Sequence, residues 1–141
     1  MSAQIRSHLN ELKTLALSHP RVHEVSIRRE EVTADRGYLR MRLVLQSQDI
    51  IEMFVYLVDR GNAVHLQDYS LHWQHSDGTL VQRWDTAPHH PELANFPSHI
   101  HRATGEVEAT ATRNWDGFLT LLQREILAKD VIDPSTERTE S

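Results

Sequence analysis

The chain has 141 residues and a mass of 16.3 kDa, which is enough for one domain with one hydrophobic core. Because it contains no cysteine, disulfides, thiolate metal sites and cysteine nucleophiles are excluded. Histidine is in excess with 10 residues, so that full protonation would move the formal net charge from −5 to +5. No apolar run has the length of a membrane span and no secretory signal is recognisable, so we expect a cytoplasmic protein.

The N-terminal segment has the apolar spacing of an amphipathic helix at residues 3–18. Ser2 is the predicted N-cap, and Ser18-His19-Pro20 is expected to end the helix. The predicted apolar stripe consists of Ile5, Leu9, Leu12 and Ala16, and Leu15 and Leu17 broaden it.

From residue 22 onward, apolar residues alternate with polar ones, which is the period of a β-strand. The pattern predicts a strand with Val25 and Ile27, a turn at 35–37, a strand at 39–45, a turn at 47–49, a strand at 50–58 and a turn at 59–62. The strand at 50–58 is a nearly continuous apolar run that contains Glu52, which favours a central position in the sheet.

The next two strands, at residues 64–74 and 80–85, are predicted to form a β-hairpin. The Asp77-Gly78 pair between them suits the central positions of a type I′ turn. That turn pairs His75 with Leu80, Gln74 with Val81, Trp73 with Gln82, His72 with Arg83, Leu71 with Trp84 and Ser70 with Asp85. The hairpin then has an apolar face with Tyr69, Leu71, Trp73, Leu80 and Trp84, and a polar face with Ser70, His72, Gln74, Arg83 and Asp85.

Residues 86–102 have neither period and contain three prolines and four histidines, which predicts a long irregular loop of the kind that often carries function. Residues 107–111 permit a last short strand. A C-terminal helix is predicted from Trp115, Phe118, Leu119, Leu122 and Ile126, with Thr112 or Asn114 as its cap. We therefore expect one α+β domain at residues 1–129, in which an antiparallel sheet of about five to six strands packs both helices on one face, and a frayed polar tail at 130–141.

The polar face of the hairpin has the groups that RNA cleavage without a metal requires. His72 lies opposite Arg83, beside Asp85 and Ser70, so a proton carrier is next to a fixed cation and a carboxylate. A base must remove the 2′-hydroxyl proton, a cation must stabilise the phosphorane, and an acid must protonate the leaving oxygen. The alternative is a solvated strand face with an Arg–Asp pair of little energetic weight.

A metal site is a second hypothesis for the same region. On an extended segment His99 and His101 would point the same way, and His89 would be a third ligand of zinc or nickel. His72 is an alternative third ligand, and Asp85 or Glu92 would add oxygen. In the alternative without a site, the histidines and prolines only shape a surface loop.

Two further groups of residues allow nucleic-acid contacts. Tyr69, Trp73 and Trp84 would stack bases, although their alternation favours the core. The arginines between positions 28 and 42 would contact phosphates or, alternatively, protect a sheet edge. We name Ser70, Gln74, Arg40 and Arg42 as candidate substrate-binding residues. There is no glycine-rich phosphate loop, nucleophile elbow or dinucleotide fingerprint, so kinases, P-loop enzymes and α/β hydrolases are set aside.

The hairpin and the segment after it carry a resemblance to a known family. The strings at 69–74, 77–78, 83–92 and 96–101 resemble the TumE family, small toxins of bacterial and archaeal toxin–antitoxin pairs. The matching residues are His72, Arg83, Asp85, His89, His90, His99 and His101, and the sequence departs from the pattern at Thr86, Ser98 and Ile100. The resemblance implies a growth-inhibiting toxin with a cognate antitoxin, often a small helix-turn-helix DNA-binding protein.

The residues and the resemblance together predict a toxin that acts as a metal-independent endoribonuclease without a cofactor. His72 and either His90 or His101 would be the acid/base pair, Arg83 would stabilise the phosphate, and Asp85 would orient Arg83 or a histidine. Two alternatives stay open: a metal-dependent hydrolase with His89, His99 and His101 as ligands, and a non-enzymatic toxin that binds a partner. The oligomeric state, including a homodimer, is left open.

Overall fold

The computed structural model describes residues 2–86, 99–103, 107–109 and 114–128. Its elements are α1 (Ala3–Ser18), β1 (Val22–Val32), β2 (Arg36–Leu45), β3 (Ile50–Asp59), β4 (Val64–Gln74), β5 (Leu80–Asp85), β6 (His99–Arg102), β7 (Val107–Ala109) and α2 (Trp115–Leu121), which continues as a π-helical segment (Leu122–Leu127). The strands form one sheet in the order β1 to β7, with antiparallel neighbours. The α+β prediction is confirmed. No helix in these ranges is long and apolar enough to cross a membrane.

The strand count differs from the prediction because residues 99–102, which were expected to be irregular, pair with β5 as β6. The four residues extend the sheet beyond the hairpin and carry β7 on their other side. This difference matters for the site, because it places two histidine positions in the sheet rather than in a loop. The predicted tail at 130–141 lies outside the described residues.

One face of the sheet, which we call the inner face, is packed against both helices. Its alternate residues and the helix stripes form a single core: Leu39, Met41, Leu43, Leu45, Ile51, Met53, Val55, Leu57, Tyr69, Leu71, Trp73, Trp84, Ile5, Leu9, Leu12, Ala16, Trp115, Phe118, Leu121, Leu122, Ile126 and Leu127. Trp115 joins the helices, because its indole N–H donates to Glu11 of α1 at 3.0 Å. The core interpretation of the Tyr69, Trp73 and Trp84 cluster is thus confirmed, and the opposite, outer face is the one that can hold a site.

Helix α1 has the predicted bounds and the predicted N-cap. The hydroxyl oxygen of Ser2 accepts the backbone N–H of Ile5 at 3.0 Å, and the same hydroxyl donates to Asp59 at 2.7 Å. The predicted contribution of Leu17 to the apolar stripe is wrong, because its side chain is 69% exposed. At 3.6 residues per turn, the side chain of Leu17 is rotated about 100° around the helix from that of Ala16, so it points away from the sheet.

We expect Ser2→Ala to lower the free energy of unfolding by about 1 kcal/mol, because the first turn of α1 loses its cap. The hydrogen bond from Ser2 lowers the pKa of Asp59 below its ordinary 3.8, so the bond stabilises the fold above that pH and is lost as the pH falls through the lowered pKa. The stability difference between wild type and variant should therefore shrink in acid below pH 3.8, as measured by urea unfolding. Ser7→Ala, at an exposed position of α1, is the control and should be neutral or slightly stabilising. An equal loss in both variants would contradict the capping role.

Gly37 belongs to β2 and not to the predicted turn at 35–37, since β2 begins at Arg36. It is buried at the point where α1 crosses the sheet, and a Cβ at this position would overlap the Cγ2 methyl of Ile5. The glycine therefore provides space for the helix rather than an unusual backbone angle.

We expect Gly37→Ala to cost about 1–3 kcal/mol of stability, because the added methyl overpacks a filled contact. Ile5→Leu moves the clashing methyl group away from the backbone, so the double variant should recover part of that loss. Thermal unfolding of the single and double variants measures this coupling. Strictly additive effects would show that the contact with Ile5 is not the cause.

The β4–β5 hairpin has the predicted pairs from Ser70–Asp85 to Trp73–Gln82, but its turn differs. The N–H of Gly78 donates to His75 O at 2.9 Å and that of His75 to Thr79 O at 2.8 Å. Of these turn residues Gly78 alone has a positive φ, of 93°, whereas a type I′ turn would also require one at Asp77. The longer turn adds a bulge that pairs Gln74 with Leu80. Val81, not the predicted Leu80, therefore packs against the core.

Helix α2 begins as predicted at Asn114, whose side-chain oxygen accepts the N–H of Gly117 at 2.8 Å. The alternative cap, Thr112, lies outside the described residues. The π-helical continuation was not predicted; its i→i+5 spacing places Leu122 and Leu127 on the same buried side.

Candidate functional site

The outer face contains a cleft of about 550 Å³ above the middle of the sheet. Side chains from β2, β3, β4 and β5 point into it because alternate residues of neighbouring strands share a face. It is lined by Arg40, Glu52, Met53, Phe54, Asp68, Tyr69, Ser70, His72, Arg83, Asp85 and Thr86. Five of the predicted site residues, Arg40, Ser70, His72, Arg83 and Asp85, are therefore brought together.

A row of polar residues crosses the sheet at the cleft. The strand registers pair Glu52 with His72, His72 with Arg83, and Arg83 with His101. Neighbouring strands are about 5 Å apart, so the backbone positions of His72 and His101 lie about 10 Å apart with Arg83 between them. The next row pairs Ser70 with Asp85 and Asp85 with His99.

Asp85 fixes the guanidinium group of Arg83. The Nε–H of Arg83 donates to Oδ2 of Asp85 at 2.9 Å, two residues along the same face of β5. The aspartate side chain is 8% exposed, whereas that of the arginine is 38% exposed. The carboxylate is thus held in the protein and orients a cation that reaches solvent at the cleft, an arrangement suited to an anionic ligand.

Besides the core residue Tyr69, four polar or aromatic residues of the cleft were not among the predicted site residues: Glu52, Phe54, Asp68 and Thr86. Glu52 forms an ion pair with Arg42 at 2.8 Å. The Thr86 hydroxyl accepts the N–H of Tyr69 at 3.1 Å and donates to Asp68 at 3.2 Å, which closes the end of the cleft beside Asp85. A charged residue inside the apolar run of β3 was the signal that could have identified Glu52.

Other predicted site residues lie elsewhere. Arg42 and Gln74 are on the outer face but are not among the residues that line the cleft. His89, His90 and Glu92 lie outside the described residues. For His99 and His101 the structure gives the backbone register, not the side chains. Among the described residues no group of three His, Asp or Glu could hold a metal ion, and the side chains of the proposed ligands are not in that set.

Two histidines near the hairpin have positions outside the cleft. His75 Nδ1 lies 3.1 Å from a carboxylate oxygen of the buried Asp49, which also accepts the indole N–H of Trp73 at 2.9 Å. His65 is exposed and pairs with Val58, because a bulge at Gln67 shifts the register of β4 on the N-terminal side of Asp68. His75 thus ties the hairpin to the turn between β2 and β3.

Comparison with known proteins shows a match to a family model. The family model described as Toxin TumE matches residues 12–130. No curated protein and no solved structure matches the chain significantly. The matched segment includes the C-terminal part of α1 from Leu12, the seven described strands, the cleft and α2. The chain therefore belongs to the TumE family of toxins, and the resemblance seen in its histidine-rich segment is confirmed.

Proposed function

We propose that this toxin is a metal-independent endoribonuclease whose reaction takes place in the outer-face cleft. The observation that carries the proposal is the row in which Arg83 lies between the register positions of His72 and His101. A phosphodiester bound at Arg83 would have a histidine position on each side. That is the arrangement needed to remove a proton on one side of phosphorus and deliver one on the other.

In the proposed reaction, His72 accepts the proton of the ribose 2′-hydroxyl, and the 2′-oxygen attacks the adjacent phosphorus. Arg83 stabilises the negative charge that builds up on the phosphorane oxygens. His101 gives its proton to the 5′-oxygen as the bond between phosphorus and that oxygen breaks. The products are a 2′,3′-cyclic phosphate and a 5′-hydroxyl, and the two imidazoles have exchanged protonation states. His90 is the alternative second histidine.

The remaining candidate residues have supporting roles in this proposal. Asp85 holds Arg83 through its Nε–H, and Ser70 lies at the adjacent register position. Arg40 and Arg42 would contact phosphates on either side of the reacting one, and Gln74 would contact the RNA further along β4. His89 and His99 would support the second histidine or the substrate.

The proposal is tested with protein purified without a nickel column and assayed in an excess of a metal chelator. Single-stranded RNA should be cleaved, whereas the same sequence with 2′-O-methyl groups should remain intact, because it lacks the nucleophile. Cleavage that appears only after a divalent metal is restored would instead support the metal-dependent alternative with His89, His99 and His101. Toxicity without cleavage under any of these conditions would support the non-enzymatic alternative.

We further propose that the cognate antitoxin is a small helix-turn-helix DNA-binding protein. The support is the family, whose members are toxins. Co-expression with the protein encoded by the neighbouring reading frame should restore growth, and the two chains should purify together. A neighbouring gene whose product neither binds the toxin nor restores growth would contradict this proposal.

A further inference from the structure

The outer face carries a second feature beside the cleft, which we call the aromatic–arginine surface: Arg29, Arg36, Tyr38, Arg40, Phe54 and Tyr56 on β1, β2 and β3. The rings of Tyr38 and Tyr56 are parallel, with centroids 4.6 Å apart, and the ring of Phe54 lies 6.1 Å from that of Tyr38. These three rings lie outside the buried core of the described residues. Packing in the hydrophobic core therefore does not explain their position on the solvent side of the sheet.

Each arginine of this surface lies over an aromatic ring. The guanidinium carbon is 4.7 Å from the ring centroid for Arg40 over Phe54, 5.5 Å for Arg29 over Tyr38, and 5.8 Å for Arg36 over Tyr56. Arg36 also donates to the hydroxyl of Tyr56. The rings restrict side chains that are otherwise flexible, so less conformational entropy is lost when the guanidinium groups bind phosphate.

The aromatic–arginine surface is continuous with the cleft. Arg40 and Phe54 line the cleft, and the register pairs Arg40 with Phe54 and Phe54 with Ser70. Ser70 in turn pairs with Asp85, the residue that holds Arg83. An RNA chain bound on the aromatic–arginine surface would therefore enter the cleft at Phe54, directly opposite Ser70.

The charge of this part of the outer face is suited to a polyanion. Within β2, β3 and residues 29–31 of β1, it carries four arginines and two glutamates: Arg29, Arg36, Arg40, Arg42, Glu31 and Glu52. The glutamates form ion pairs with Arg29 and Arg42, while Arg40 contacts a ring. The excess of guanidinium groups with aromatic rings between them favours a ligand that has both phosphates and planar bases.

We propose that the aromatic–arginine surface binds the single-stranded RNA that flanks the scissile phosphate; this rests on the proposed function of the cleft. The arginines contact phosphates through their N–H groups, and bases stack on the guanidinium planes that lie over the rings. Duplex RNA keeps its bases paired inside the helix and exposes no base faces to such a surface. The surface therefore selects single strands over duplexes.

The test uses a fluorescent oligoribonucleotide with 2′-O-methyl groups at every position, so that binding is measured without cleavage. Tyr38→Val and Phe54→Val keep a good strand former and remove the ring. Each should weaken binding about tenfold, the equivalent of one base stack, because the guanidinium group over that ring is no longer held in place for a base. Arg40→Gln should reduce the slope of log affinity against log salt by about 0.7, the value for one phosphate contact on a single strand. Val44→Thr, on the same face of β2 but away from the surface, is the matched control.

The proposal predicts that wild type binds the single strand more tightly than a duplex of the same sequence, and that the ring variants remove this preference while they unfold at the wild-type temperature. Wild-type binding by both ring variants, or equal affinity for duplex, would overturn it even if unmodified RNA is still cleaved. Loss of antitoxin binding in these variants, with no measurable binding of RNA by wild type, would also overturn it. A further outcome is that the ring variants bind RNA more weakly, but wild type does not cleave unmodified RNA. That outcome would contradict the proposed ribonuclease function and leave RNA binding by the surface supported.

Discussion

The His72→Ala variant is expected to cleave RNA about 10²–10⁴-fold more slowly than wild type, the usual contribution of one general acid or base. His72 is on the outer face of β4, half-buried in the cleft and opposite both Glu52 and Arg83, so its truncation leaves the core intact. Cleavage of a single-stranded substrate, followed over pH by gel electrophoresis, measures the effect. In the proposed reaction His72 is one of two proton-transfer groups, so its removal should also remove one limb of the pH–rate profile.

The control for this variant is His23→Ala, an exposed histidine of β1, the edge strand that lies three strands from β4. It should keep wild-type activity and toxicity. Both variants should unfold at the wild-type temperature. A folded His72→Ala protein with full activity would exclude His72 from the reaction.

The second large effect is expected for Arg83→Ala, with a loss of about 10²–10³-fold in the rate of cleavage, comparable to the removal of one donor to a developing oxyanion. The substitution also removes the ion pair with Asp85, whose side chain is 8% exposed, so some stability will be lost as well. Arg83→Lys separates the two effects. It retains a cation but cannot reproduce the Nε–H contact with Asp85, so we expect intermediate activity.

A third variant, Asp85→Asn, tests whether Asp85 acts by positioning Arg83. The amide still offers an oxygen to the Nε–H, so the structure should be retained while the orientation of Arg83 is less firmly held. We expect a smaller loss than for Arg83→Ala, and little further loss when Asp85→Asn is combined with Arg83→Ala. Fully additive losses in the double variant would mean that Asp85 acts independently of Arg83. Arg60→Ala, in the exposed turn after β3, is the control for the removal of an arginine.

The sequence predicted the parts of the fold that depend on periodicity. Helix α1, its cap and the faces of β2, β3 and β4 follow from apolar residues at the spacing of one helix face or at every second position. What could not be predicted depends on contacts between distant segments. Gly37 was predicted as a turn residue because glycine is common in turns. Its role in providing space for Ile5 depends on the packing of α1, which no local pattern indicates. Strand β6 is too short for a period of its own, and it is a strand because β5 offers an edge for pairing.

The sequence predicted only part of the candidate site, again because local patterns do not indicate contacts between distant strands. The pairing of His72 with Arg83 follows from the local register of one hairpin, and that register is correct over the site despite the bulge at Gln74. Glu52 and Phe54 enter the cleft from β3, and no local pattern connects them with the hairpin. The aromatic rings that face solvent are likewise on β2 and β3, whereas the sequence drew attention to the tryptophans, which are core residues.

The chemistry of the RNA ends produced by the wild-type toxin in excess chelator shows whether the cleft catalyses metal-independent cleavage. Attack by the neighbouring 2′-oxygen, assisted by His72 and a second histidine, predicts fragments with a 2′,3′-cyclic phosphate and a 5′-hydroxyl. Mass spectrometry of the fragments of a short defined RNA distinguishes these ends without further assumptions. Fragments with a 3′-hydroxyl and a 5′-phosphate, formed only when a divalent metal is supplied, would contradict metal-independent cleavage by the two histidines.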